Sequence, residues 1–169
     1  VTISNNGSTA FAIDNSTSNG TGGNINLTAN GAGENVTVSG TILNTSTGNA
    51  GNITLTSTNN SIAVTDGGAD TANIINTSST GNAGTITLNS FNATTVDGFI
   101  DNSTTGAAGT ITMVSQNSTV QVLNDADNSF ALNNSTTSGN GGTITMTAGG
   151  TGGDVRVDGI VLNTAPGNG

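Results

Sequence analysis

The side chains able to do chemistry in this chain are few and mostly of one kind. Ten carboxylates (Asp14, Glu34, Asp66, Asp70, Asp97, Asp101, Asp125, Asp127, Asp154 and Asp158) face one cation, Arg156, and the 169 residues include no His, Cys, Lys, Tyr or Trp. Glycoside hydrolysis asks for two carboxylates about 5–10 Å apart, and lyase chemistry asks for Arg or Lys beside carboxylates or calcium. The only base candidate, Arg156, stands in VRVD at 155–158, where the repeat-equivalent residue is Thr37. Its expected role is a surface contact with Asp154 or Asp158, an interaction of little energetic value. The acids form no catalytic motif, so no enzyme activity is expected. Calcium is the one cofactor with any candidate ligands: Asp66 with Asp70 in DGGAD, and Asp125 with Asp127 in NDADNS, place oxygen atoms close together in loops. Neither segment matches an EF-hand loop or the nine-residue Gly/Asp calcium repeat, and the segment equivalent to Asp125 and Asp127 carries Asn6 and Ser8 instead. These acids are expected first of all to be solvated loop charges that keep the chain soluble and discourage lateral aggregation.

The net charge of −9 bears on partners. Phosphate recognition needs clustered Lys and Arg, so no nucleic acid is expected, and an anionic membrane surface is disfavoured for the same reason. No apolar run approaches the roughly 18 residues of a spanning helix, so no membrane insertion is expected. Val1 already sits inside a strand-like pattern, so the chain is expected to be a fragment or mature segment whose export signal lies elsewhere. The absence of Cys leaves the redox compartment open.

A chain so rich in Gly, Ser, Thr and Asn invites a disordered reading. Against it, 31% of the residues are hydrophobic, and they fall into short alternating runs. One strand recurs five times, as GGNINLTA (22–29), AGNITLTS (50–57), AGTITLNS (83–90), AGTITMVS (108–115) and GGTITMTA (141–148). Its first Ile residues are Ile25, Ile53, Ile86, Ile111 and Ile144, at spacings of 28, 33, 25 and 33, which total 119. Residues 1–50 align without a gap on 120–169, with 23 identities. Periods of about 20 to 50 residues mark solenoids, in which each unit closes its core by stacking on its neighbours. Neither end carries an atypical capping repeat, so residues 1–169 are expected to be one continuous segment of a periodic object, organised by a 119-residue super-repeat.

Each unit divides into three short strands: VTVSG at 36–40 or VRVDG at 155–159, then TILNT at 41–45 or ANIINT at 72–77, then the NITLTS strand. Apolar residues at helical spacing are absent. The sequence therefore predicts an all-β parallel β-helix, or β-solenoid, with about 25–33 residues per coil and roughly 4.8 Å of rise per coil. Alternation predicts a core stack of Ile25, Ile53, Ile86, Ile111 and Ile144. It turns Asn26, Thr54, Thr87, Thr112 and Thr145 outward as the centre of a flat Thr/Asn face, whose Thr-x-Thr ranks resemble those of ice-binding β-solenoids. An Asn followed by Ser or Thr marks the second turn of every unit, at Asn15, Asn44, Asn76, Asn102, Asn134 and Asn163. Stacked amides both donate and accept, so these six are expected to form an inward ladder from coil to coil. Most also read as glycosylation sequons, but a ladder position is closed to a transferase, which leaves Asn59, Asn92 and Asn117 as exposed sequons. The four aromatic residues are all Phe; Phe11 and Phe130 are repeat equivalents and are expected to pack in the core or loops rather than to stack on sugars.

The repeated GNAGNITLTS and GNAGTITLNS segments with Asn-Thr-Ser turns between them resemble the repeats of filamentous-haemagglutinin-like exoproteins of the two-partner secretion systems. The resemblance covers the chain as a repeat style and includes no amino-terminal secretion domain. It implies a right-handed β-helix at the bacterial cell surface or outside the cell, acting as an adhesin, biofilm component or stalk. The expected function is thus a structural or adhesive fibre segment. Its partners would be itself, through neighbouring coils and end-to-end or lateral contacts, and other cells or surfaces. Ice binding by the Thr/Asn face is the alternative.

Overall fold

The computed structural model describes residues 1–5, 11–66, 72–124 and 130–166. The strands follow one another in threes. The first coil holds β1 (Thr2–Ser4), β2 (Phe11–Asp14) and β3 (Ile25–Ala29); the second holds β4 (Val36–Ser39), β5 (Thr41–Leu43) and β6 (Ile53–Ser57). The third holds β7 (Ile62–Thr65), β8 (Ile74–Ile75) and β9 (Thr85–Ser90), and the fourth β10 (Thr94–Val96), β11 (Ile100–Asp101) and β12 (Thr110–Ser115). The fifth holds β13 (Val120–Leu123), β14 (Leu132–Asn133) and β15 (Thr143–Ala148), and β16 (Val155–Asp158) and β17 (Val161–Leu162) begin a sixth. Every third strand pairs in parallel with the next of its kind. Three sheets result, of order β1-β4-β7-β10-β13-β16, β2-β5-β8-β11-β14-β17 and β3-β6-β9-β12-β15. The fold is a β-solenoid with three strands per coil, and no helix occurs among the described residues.

The register follows from the side chains. Ile53 and Leu55 of β6 are fully buried while Thr54 between them faces out, as the two-residue period of a strand requires. Ile25 pairs with Ile53, Ile53 with Ile86, Ile86 with Ile111 and Ile111 with Ile144, so the first Ile of each repeat stacks in one column. Beside it run Leu27, Leu55, Leu88, Met113 and Met146. The second sheet contributes Ile13, Ile42, Ile74, Ile100, Leu132 and Val161, and the first contributes Ile3, Val38, Val64, Val96, Val122 and Val157. A one-residue slip would turn every one of these columns to water, which fixes the register strongly. Burial of one Ile is worth about 1.5–3 kcal/mol. Ile144 is only half-buried, because β15 is the outer strand of its sheet and no further coil covers it.

Coil length varies at the corners, not in the strands. Between the first and second sheets the chain turns on Gly40 alone after β4, yet takes residues 66–73 after β7. Gly40 and its repeat equivalent Gly159 hold φ of 118° and 126°, backbone that a side chain would strain. Measured on the first sheet, Ile3 sits beside Val38 and Val122 beside Val157, coils of 35 residues, longer than the 33 read from the Ile spacing. The second-to-third corner is nearly constant, at 44–52, 76–84, 102–109 and 134–142. Bridges from Ser46 to Ser78, Ser78 to Thr104 and Thr104 to Thr136 carry the pairing through it.

Candidate functional site, an amide ladder and the faces around it

The constant corner is built around the six Asn residues. Asn15 Nδ2 donates to Asn44 Oδ1 at 3.0 Å, Asn44 to Asn76 at 2.7 Å, Asn76 to Asn102 at 2.9 Å, Asn102 to Asn134 at 2.9 Å and Asn134 to Asn163 at 3.3 Å. Asn44, Asn76, Asn102 and Asn134 are completely buried. Every bond points the same way along the axis, so each amide polarises the next. The second amide proton is used as well: Asn102 donates to Gly84 O, Asn134 to Gly109 O and Asn163 to Gly142 O, each at 3.1 Å. The ladder therefore ties the end of the second strand to the start of the third.

That tie depends on a glycine column the sequence reading passed over. A Cβ on Gly51 would lie 1.9 Å from Gly23 O, one on Gly84 1.9 Å from Gly51 O, one on Gly109 1.9 Å from Gly84 O and one on Gly142 2.1 Å from Gly109 O. The signal was present, since a Gly stands two residues before the first Ile in all five copies of the strand. A second set of amides was also missed. Asn49 Oδ1 accepts from Asn82 N at 3.0 Å, Asn82 Oδ1 from Ala107 N at 2.8 Å, Asn24 Oδ1 from Asn52 N at 2.9 Å and Asn52 Oδ1 from Thr85 N at 2.8 Å. Each Asn satisfies a backbone N–H of the next coil where the strand ladder is not running. Inside the corner, Ser46 Oγ donates to Gly48 O at 3.1 Å, and the hydroxyls of Ser78, Thr104 and Thr136 donate to Gly48, Gly81 and Gly106 carbonyls.

Outside the corner runs a shallow groove of about 750 Å³, lined by hydroxyls such as those of Thr45, Thr77 and Ser103 and by Asp101 and Asn133. Asp101 Oδ1 accepts from Ser103 N at 3.0 Å and from Asn133 Nδ2 at 3.1 Å. Burial raises its carboxyl above the ordinary value of 3.8, and those hydrogen bonds recover part of the cost of the charge. Ser135 N makes the same turn onto Asn133 Oδ1 at 3.2 Å one coil along, and Ser16 N onto Asp14 Oδ1 at 3.0 Å.

The remaining candidates separate. Arg156 Nη2 meets Asp158 Oδ2 at 2.5 Å and Nε meets Oδ1 at 3.0 Å, on exposed side chains where such a pair contributes little. Asp66 follows the last residue of β7 and is half-buried, while Asp70, Asp125 and Asp127 fall outside the described residues. Among the described residues no three acidic, His or Cys side chains gather as a metal site would require. Asn59 and Asn117 are exposed and Asn92 is half-buried, its Nδ2 donating to Asn60 Oδ1 at 3.0 Å. Phe130 packs edge-on against Phe99, ring centres 5.2 Å apart, whereas its equivalent Phe11 is exposed. On the third sheet Asn26, Thr54, Thr87, Thr112 and Thr145 face outward in one register row. The chain matches no family model, no curated protein and no solved structure.

Proposed function

We propose that this chain is a rod-forming segment of an extracellular bacterial surface fibre, structural or adhesive in its work and not catalytic. The observation that carries the reading is the in-register continuation of all three sheets, with the buried amide ladder, from coil to coil. A molecule organised this way gains length without changing its cross-section, which is what a stalk or filament asks of its sequence. The likeness of the GNAGNITLTS-type repeats to filamentous-haemagglutinin-like exoproteins supports the same reading and suggests export to the cell surface. The partners proposed are further solenoid units, end to end or side by side, and the surfaces of other cells. Uncharged Thr, Ser and Asn facing outward beside scattered acids suit such a rod, because they keep it hydrated and discourage uncontrolled lateral sheet contacts.

Electron microscopy of the native material, combined with its intact mass, tests the proposal. The expected images are unbranched rods whose length grows by about 4.8 Å for each coil in the chain or assembly. Discrete compact particles no longer than the coils of this chain, with no cell-surface association, would sink it.

A further inference from the structure

The third sheet differs from the other two in width and in charge. Its five strands run for five or six residues, against two to four in the other sheets. No acid, Arg, Gly or Pro stands at 24–29, 52–57, 85–90, 110–115 or 143–148. In a chain of net charge −9 this leaves the broadest face neutral across five successive strands. The charges hold the other sides. Asp14 and Asp101 stand on the second sheet, and Arg156 and Asp158 on the first, with Asp66 and Asp97 directly beyond first-sheet strands. Glu34 and Asp154 lie at the rim, in the segments that leave the third sheet for the first.

The outward side chains of this face stand in rows. Asn26, Thr54, Thr87, Thr112 and Thr145 form one row, and Thr28, Thr56, Asn89, Val114 and Thr147 the next. Rows lie about 6.6 Å apart along a strand, and their members about 4.8 Å apart from coil to coil. Parallel, in-register strands stacked across a long axis form sheets that pair through their faces, and the segments that do so are short, neutral, rich in β-formers, free of Pro and poor in Gly. The solenoid builds that arrangement inside one chain. Its rows are rigid as well, because the alternate residues Ile86, Leu88, Ile111 and Met113 are fully buried and a β-branched Thr has little freedom at χ1. A second copy of the same face carries the same spacing in both directions, since the same fold sets it.

We propose that two copies of this chain pair side by side, third sheet against third sheet, about a two-fold axis. The proposal rests on the rod-forming reading and adds to it which side of the rod meets its mate and where association stops. A two-fold contact asks a surface to be complementary to itself, and interleaved rows of small neutral side chains meet that demand. Charge selects the face. Contact through the first or second sheet would set Asp158, Asp14 or Asp101 against acids of the other copy. Contact through the third keeps the acids of those sheets about 10 Å or more behind the interface, beyond the roughly 8 Å Debye length of physiological salt. Once two neutral faces are joined, the sides left open carry acids, so assembly ends at two. The area sets the strength. Five strands about 4.8 Å apart and about 20 Å long offer roughly 500 Å² on each copy, about 1,000 Å² in the pair, at the weak and reversible end of specific interfaces. Each further coil adds about 100 Å² per copy, so a longer rod pairs more tightly than a short one.

Analytical sedimentation and small-angle scattering of the 169-residue chain test this, at protein concentrations up to about 1 mM and in about 10 and about 150 mM NaCl. The expected result is a reversible dimer of doubled cross-section and unchanged length, tighter in the higher salt because the repulsion being screened is between whole acidic molecules. Thr87→Glu with Thr112→Glu sets like charges on the face and should weaken dimerisation at least tenfold. Thr37→Glu with Thr95→Glu adds the same charge to one outward row of the first sheet and should leave it within about threefold. Should the glutamates reduce the β-sheet circular dichroism, single thiols replace them, since the chain has no Cys of its own. A bifunctional maleimide spanning about 10 Å should then join Thr87→Cys, at the centre of the face, into dimers and leave Thr95→Cys monomeric. A rod that stays monomeric throughout overturns the pairing and leaves the fibre reading standing, whereas a compact monomer overturns both. Dimers that lengthen the particle, that weaken equally with both glutamate pairs, or that cross-link as readily through Thr95→Cys also overturn the pairing.

Discussion

Asn76 Oδ1 accepts a hydrogen bond from Asn44 Nδ2, and Asn76 Nδ2 donates one to Asn102 Oδ1, while the side chain is wholly removed from water. Truncation to Ala strands one buried donor and one buried acceptor, and each orphan costs about 1–3 kcal/mol. Asn76→Ala should therefore lower stability by about 2–5 kcal/mol, seen as a fall in the guanidinium midpoint with unchanged slope. Asn163→Ala, on an exposed residue at the ladder's outer rung, should cost no more than about 1 kcal/mol. Equal losses at both positions would mean the ladder is not what fixes the corner. Asp101 gives the opposite expectation. Burial raises its carboxyl above the ordinary 3.8, so folding favours the protonated form. Its contribution is complete below 3.8 and is lost as pH rises through the raised folded value. Asp101→Asn should then raise the melting temperature at pH 7, an advantage that shrinks as the pH falls towards 3.8. The turn itself should survive, because Asn133 holds Ser135 N in the same way. A variant less stable than the parent at pH 7 would show that the charge is needed by its hydrogen-bond partners.

At the scale of elements, the junction between ladder and third strand is the tightest place in the coil. Gly84→Ala would put a methyl carbon 1.9 Å from Gly51 O, with backbone rather than a flexible side chain in the way. The two coils must separate there or the ladder bond from Asn102 to Gly84 O must break. The loss expected is about 2–4 kcal/mol, since it joins strain to a lost buried hydrogen bond. Gly20→Ala, where nothing lies within 4 Å, should be felt only through its φ of 90°. Thermal melts of the two variants check the contrast. The same elements explain what the sequence can and cannot disclose. The Ile column and the Asn rungs are legible because period-two alternation and a fixed repeat offset determine both the face and the neighbour of each residue. The glycine column is legible only in part: its spacing from the Ile is visible, but the approach of two backbones is a distance between coils. The burial of Asp101 is not legible at all. Asp14 ends its strand with the same turn to Ser16 yet stays exposed, whereas Asp101 lies between Ile75 and Asn133 of adjacent coils.

For the whole molecule, the consequence of stacking is that a coil is a removable unit while a fraction of one is not. Ile75 pairs with Asp101, and Asn76 is the rung below Asn102. Excision of residues 76–101 therefore joins Ile75 to Asn102 and removes β9, β10 and β11 together. It brings β12 onto β6, β13 onto β7 and β14 onto β8. Every column closes again with a residue of its own kind: Ile111 meets Ile53, Met113 meets Leu55, Val122 meets Val64 and Asn102 becomes the acceptor for Asn44. Because each unit depends only on its neighbours, the stability per coil should be almost unchanged. Circular dichroism per residue should match that of the parent, and small-angle scattering should show a rod shorter by about 4.8 Å. Excision of residues 76–88 instead takes away the corner that carries Asn76 and the first four residues of β9 while leaving β10 and β11 in place. The columns then lose their alignment, buried apolar rows face water, and the β-sheet signal should collapse or the protein aggregate. If the two excisions behaved alike, whether both folded or both failed, vertical stacking of equivalent residues would not be what organises this chain.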